Sequence, residues 1–180
     1  MRTRLPWLCV LVISVFLLVF TGCGTNNGGD GNPVPTAVQM PEDMPEDFAF
    51  SVRFGITGKN EINTFEHTIT KDLIANGTAT ADLTLTEDEL ADIYARMRGI
   101  HVMGDMELEI SRKVCEQIPY DEEHWVIQAG GEQRQLEWSE QPCELTADAE
   151  KLKELRSYIW ELIAAKPEFT QLPEVVGGYQ

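Results

Sequence analysis

Apolar residues fall into three regimes along this chain. Over residues 7–20 they are continuous, interrupted only by Ser14; over residues 24–47 they are sparse and without period; from Phe48 onward they are periodic. In the third regime Phe48, Phe50, Val52 and Phe54 alternate with Ala49, Ser51 and Arg53, which predicts a strand with one buried face. Residues 55–60 read as a turn. Ile62, Thr64, His67 and Ile69 predict a second strand whose phase the pattern leaves open. Asn76-Gly77 is a hairpin turn signal. A third strand is expected over residues 78–85, with Ala79, Ala81, Leu83 and Leu85 on one face.

The period then changes to that of a helix. Thr86-Glu87-Asp88-Glu89 is a capping box, with Leu85 and Leu90 at the staple positions around it. Leu90, Ile93, Tyr94 and Met97 follow at i, i+3, i+4 and i+7. Acids open this helix, Arg96 and Arg98 close it, and Gly99 ends it, the charge order that suits the helix dipole. Met106, Leu108 and Ile110 alternate with acids and predict a further strand over residues 103–110. Residues 125–128 and 133–138 flank Ala129-Gly130-Gly131-Glu132 as a hairpin, in which Trp125 and Trp138 are expected to pair. A last helix is expected over residues 147–165, with Thr146 as cap, Leu152, Leu155, Ile159 and Leu162 on one line, and Pro167 as its end. The order βββα-ββ(β)α predicts an α+β domain, an antiparallel sheet covered on one face by two helices.

The first regime reads as an address. Arg2 and Arg4 precede the apolar run and small residues follow it, the order of a secretory signal. The run of 14 residues rises about 21 Å as a helix, short of a hydrocarbon core roughly 30 Å thick. An uncleaved anchor that tilts or thins the bilayer is the alternative. Phe20-Thr21-Gly22-Cys23 resembles the bacterial lipobox, departing from it only in Phe20, where leucine is preferred. The resemblance implies a signal peptide over residues 1–22 and a diacylglycerol on Cys23. Two acyl chains together give the stable anchoring that one does not. The alternative is a secreted chain with a free thiol at Cys23.

Residues 23–47 have no lysine or arginine, five acids, and many Gly, Asn and Pro. They read as a disordered acidic tether, flexible first and stiffer from Pro33 on. Met40-Pro41-Glu42-Asp43 and Met44-Pro45-Glu46-Asp47 repeat one four-residue unit, read as spacer. Residues 48–180 then form a single extracytoplasmic domain, long enough for a sizeable core.

Charge narrows the partners. The 180 residues carry 14 basic and 30 acidic side chains, a formal charge of −16. Residues 48–180 alone hold 12 basic and 25 acidic residues, hence −13. Such a surface lacks the cations that displace counterions from phosphates, which argues against nucleic acid. Nor does it suit electrostatic adhesion to anionic lipid.

Four cysteines divide between signal, anchor and domain: Cys9, Cys23, and the pair Cys115 and Cys143. In an exported domain a disulfide between the last two is the default. No Cys-x-x-Cys is present. His67, His101 and His124 lack zinc-ligand spacing, so no metal or other cofactor is expected. Asp121-Glu122-Glu123-His124 is oxygen-rich, yet it lacks the loop pattern of an EF-hand and reads as a solvated turn more than a calcium site. No nucleophile elbow, Ser-x-x-Lys or phosphate loop occurs, and the chain is not read as an enzyme. Trp125, Trp138 and Trp160 are read first as packing and second as an aromatic patch for a peptide or glycan. Lys59, Asn60, Lys71 and Asp72 gather polar side chains at the ends of one hairpin and form a second candidate binding set, against the plainer reading of turn residues and solvated charge.

Phe54-Gly55, Gly58-Lys59-Asn60, Thr64, Thr70-Lys71-Asp72 and the helix start over residues 85–94 resemble a group of small uncharacterised lipoproteins of Gram-positive, Bacillus-like bacteria. The resemblance implies a lipid-anchored surface location and no catalytic residues. The expectation is a monomeric lipoprotein at the extracytoplasmic face of the cell membrane, binding an envelope protein or glycan. The alternative is an inhibitor or immunity-type protein that inserts the Gly130-Gly131 hairpin into an envelope hydrolase.

Overall fold

The computed structural model describes residues 39–111 and 115–180. The expected signal peptide over residues 1–22, Cys23 and the first part of the expected tether, up to residue 38, lie outside these residues. Six strands form one antiparallel sheet: β1 (Ala49–Gly55), β2 (Asn60–Asn63), β3 (Thr68–Asp72), β4 (Thr78–Asp82), β5 (Glu122–Ala129) and β6 (Glu132–Ser139). Their spatial order is β4-β3-β2-β1-β5-β6. Helices α1 (Glu87–Gly99) and α2 (Ala147–Ala164) and the short α3 (Pro167–Thr170) complete the α+β domain.

Alternation along the strands sets the layers. Phe50, Val52, Phe54, Ile62, Ile69, Trp125, Ile127, Leu136 and Trp138 lie on one face and are buried. Ile93, Tyr94 and Met97 of α1 and Leu152, Leu155, Ile159 and Ile163 of α2 join them in one core. β4 and β5 both run antiparallel to β1, so their link must cross back over the sheet. α1 lies within that link. Its capping box forms as the sequence predicts: Thr86 Oγ1 accepts from the Glu89 N–H at 3.2 Å, and Glu89 accepts from the Thr86 N–H at 2.8 Å.

Four expectations change in detail. The second strand is two: β2 and β3 form a hairpin of their own. Asn63 Oδ1 accepts from the N–H groups of Phe65 and Glu66, both at 3.1 Å, and this Asx turn reverses the chain. Residues 103–110 form no strand. Met106 and Leu108 pack on the core as expected of alternating positions, but the Glu107 N–H goes to Asp148 Oδ2 at 3.0 Å instead of to a ladder. Pro167 does not only end α2; it also opens α3 at its first position, where a missing N–H costs nothing.

The fourth concerns the tether. The folded unit reaches back past Phe48 to the beginning of the described chain. Met40 is buried in the core, and the Tyr94 hydroxyl donates to Pro41 O at 2.7 Å. Asp47 takes both amides of the β5–β6 turn, from Gly130 at 2.8 Å and Gly131 at 2.7 Å. The two copies of the Met-Pro-Glu-Asp unit therefore act differently. One supplies a core side chain and the other supplies a turn cap.

Those two N–H groups, Gly131 first, hold the Asp47 carboxyl below the usual range. A depressed carboxylate adds stability above its unfolded pKa and loses it as pH falls through the folded value. Amide exchange should therefore show Gly130 and Gly131 protected at neutral pH. Protection should fade in acid below about pH 4, and Asp47→Ala should abolish it at every pH. Unchanged protection in that variant would refute the cap.

Candidate functional site

Among the described residues, no helix covers the second face of the sheet. Register places Thr80, Thr70, Glu61, Arg53, His124 and Glu137 in one row across all six strands. Asp82, Thr68, Asn63, Ser51, Val126 and Gln135 form the next. The side chains support one another laterally. The Thr70 and Thr80 hydroxyls are 2.9 Å apart, Asn63 Nδ2 donates to Glu61 at 3.2 Å, and His124 Nδ1 lies 3.3 Å from Glu137. The face therefore presents hydroxyls, amides and charges of both signs on a backbone already paired in its ladder. Such a surface is suited to a polar, water-containing contact.

The tryptophans are placed elsewhere. Trp125 stands opposite Leu136, and Trp138 stands opposite Glu123. They share the buried face and meet at one atom: both indoles donate to Glu123 Oε2, at 2.9 and 3.2 Å. Arg156 of α2 donates to Glu123 Oε1 at 2.8 Å, and its guanidinium lies 5.2 Å from the centre of the Phe54 ring. Burial is the largest influence on Glu123 and raises its pKa; Arg156 and the two indoles oppose it. Trp160 packs edge-on between Phe54, at 5.1 Å, and Phe169, at 4.8 Å. The three side chains are not gathered into one exposed aromatic patch. One clue to Glu123 was present in the chain: it lies two residues before Trp125, in phase with the apolar positions of its strand. A carboxyl in that phase calls for a charge or hydrogen-bond partner on the core side, but the sequence does not say which one.

The hairpin-end set divides in the same way. Asn60 and Asp72 do meet: the Asp72 N–H donates to Asn60 Oδ1 at 2.9 Å. Asp72 is buried and accepts from the Ile74 N–H at 2.8 Å and from the Tyr179 hydroxyl. Lys71 points to the opposite side of β3 and lies 5.0 Å over the Phe169 ring. Lys59 is exposed in the β1–β2 turn. Asn60 and Asp72 therefore tie the sheet end and the C-terminal segment together, while Lys59 alone faces solvent. Strand alternation also splits residues 121–124. Glu123 points inward, and Glu122 and His124 point outward. Among the described residues, no group of three or more His, Cys, Asp or Glu is placed to hold a metal ion.

Cys115 and Cys143 are joined, with Cα atoms 5.4 Å apart. Around them Glu116 pairs with Pro142, and the Gln117 N–H donates to Gln141 O at 2.9 Å. Gln117 Nε2 donates to Glu140 O at 2.7 Å, and the Glu140 N–H donates to Asp121 O at 2.7 Å. This braced loop carries Ile118, 84% exposed. Nothing in the sequence marks it, because one aliphatic residue among Glu, Gln and Pro has no period to stand out from. The Gly130-Gly131 tip, by contrast, is covered: Asp47 holds its amides, and Pro41 stands 3.3 Å from where a Gly130 Cβ would sit. Compared with known proteins, the chain matches no known family, no curated protein and no solved structure.

Proposed function

We propose that this chain is a lipid-anchored binding protein of the extracytoplasmic cell surface, held by a diacylglycerol on Cys23 and without catalytic function. The observation that carries the binding role is the polar face of the six-stranded sheet, left open by the described residues, laid out across all six strands and backed by a packed core. The Cys115–Cys143 bridge supports export, because such bonds persist in oxidising compartments. The acidic balance favours a protein or glycan partner over a nucleic acid.

Two substitutions test the two halves of this reading. Cys23→Ala should abolish incorporation of a labelled fatty acid and move the chain from the membrane fraction to the medium. Retention in the membrane without label would instead favour an uncleaved anchor. Ser51→Arg places bulk and charge at the centre of the open face. It should leave the melting temperature nearly unchanged and weaken partner binding about tenfold or more. Undiminished binding would remove the face from the function.

A second reading, an inhibitor or immunity-type protein acting on an envelope hydrolase, is favoured by one observation: the braced, outward-pointing loop at Ile118. On this reading that loop takes the role first assigned to the Gly130 hairpin.

A further inference from the structure

We infer that Ile118 is an anchor residue that enters an aliphatic pocket on a partner protein, and that the partner rims this pocket with basic side chains. The inference rests on the binding reading above and adds a second contact surface, at one end of the open sheet face, with its partner chemistry.

An exposed aliphatic side chain is by itself ordinary. Three features set Ile118 apart. First, it is the most exposed of the large apolar residues described, at 84%. Second, its loop is held without help from a partner. The Cys115–Cys143 bridge, the Glu116–Pro142 pairing and both hydrogen bonds from Gln117 order the chain just before it. A contact made by such a loop avoids most of the ordering entropy that a free loop loses on binding. Third, its position follows from the topology. β1 begins at the end of the sheet where Ala49, Gln128 and Gln133 align, and Asp47 clasps the β5–β6 turn there. Ile118 belongs to the other end, where Gly55, Glu122 and Ser139 align. Six strand steps, about 20 Å, separate the two ends. Asp47 and Ile118 therefore lie at opposite ends of the sheet.

Charge specifies the rim. Beside the loop, Glu109, Glu122, Glu137 and Glu144 border a cleft of about 330 Å³ that reaches Pro142, and no described lysine or arginine lines it. A partner with lysine or arginine around its pocket complements this end, and a partner with an acidic rim is repelled.

The test is a photo-reactive residue placed at position 118 of the full chain in its own cells, with position 133 at the opposite end of the sheet as control. The expected result is adducts from 118 alone, mapping to one protein at aliphatic residues flanked by lysine or arginine. With that protein purified, Ile118→Ala should weaken binding about tenfold or more, and Glu144→Gln should reduce both affinity and its salt dependence, with folding unchanged in each. Adducts to lipid or glycan, equal adducts from both positions, or undiminished binding by Ile118→Ala would overturn the proposal. Measuring fatty-acid incorporation in the same photo-labelled chain, with Cys23 intact, separates the two claims. Adducts from a chain that fails to show lipidation leave the pocket proposal standing and remove the anchor. A lipidated chain without adducts from 118 removes the pocket proposal alone.

Discussion

Arg156→Met should destabilise the domain by about 3 kcal/mol at neutral pH, the lower end of what removing one partner of a buried ion pair costs. The lower end applies because the Arg156 side chain keeps 14% exposure while Glu123 has 1%. The loss comes from what remains: a carboxylate on the core face with two indole donors and no cation. The pH dependence gives the signature. Burial already raises the folded-state pKa of Glu123 above the ordinary carboxylate value, and removing Arg156 takes away an influence that lowers it. A group whose folded pKa is raised keeps its full contribution below the unfolded pKa and loses it as pH rises through the folded one. The deficit of Arg156→Met relative to wild type should thus shrink as pH falls toward about 4.5 and be fully expressed above the variant's folded pKa. Denaturant titrations at several pH values measure this. The double variant Glu123→Gln/Arg156→Met should recover at least half of the loss, because Gln can still accept from both indoles without a buried charge. A pH-independent deficit, or no recovery, would mean that α2 docking and not charge compensation accounts for the effect.

Cys115→Ala/Cys143→Ala should cost about 3.5 kcal/mol on loop-entropy grounds for a bridge spanning 28 positions, which corresponds to a melting temperature lower by roughly 10 °C. Wild type under reducing conditions should melt with the double variant, and adding reductant to the variant should change nothing further. The same change releases the Ile118 loop, so partner binding should weaken even where the core stays folded. Recovery of two alkylated thiols from the unreduced domain would show that the bridge does not form in the cell.

Local chemistry made much of the fold legible. The Thr86 capping box, the i/i+3/i+4/i+7 face of α1, the Thr146 cap and the alternation in β1 and β5 each depend on neighbours within a few residues, so the chain alone carries them. The pairing of Cys115 with Cys143 was legible by elimination. A local pattern misleads where it has two outcomes. Alternation at Met106, Leu108 and Ile110 marks extended chain but does not say whether a ladder partner exists, and here Asp148 takes the Glu107 amide instead. Asn63 could sit within a strand or cap a turn, and the Phe65 and Glu66 amides decide for the turn.

What only the tertiary structure decided is who meets whom over long separations. That Asp47 closes a turn 83 positions on, that Met40 of an acidic spacer is a core residue, and that Glu123 compensates Arg156 across the sheet–helix interface are outcomes of packing. No window of sequence encodes these contacts, since each depends on where several elements come to rest together. The sequence by itself determined a two-layer α+β domain with an export signal pattern and an acidic surface. The tertiary structure decided which face of the sheet stays open, and which loop stands at the end away from the incoming chain. The physical reason is that burial and hydrogen bonding are settled by three-dimensional neighbours, and those are shared among residues far apart in the chain.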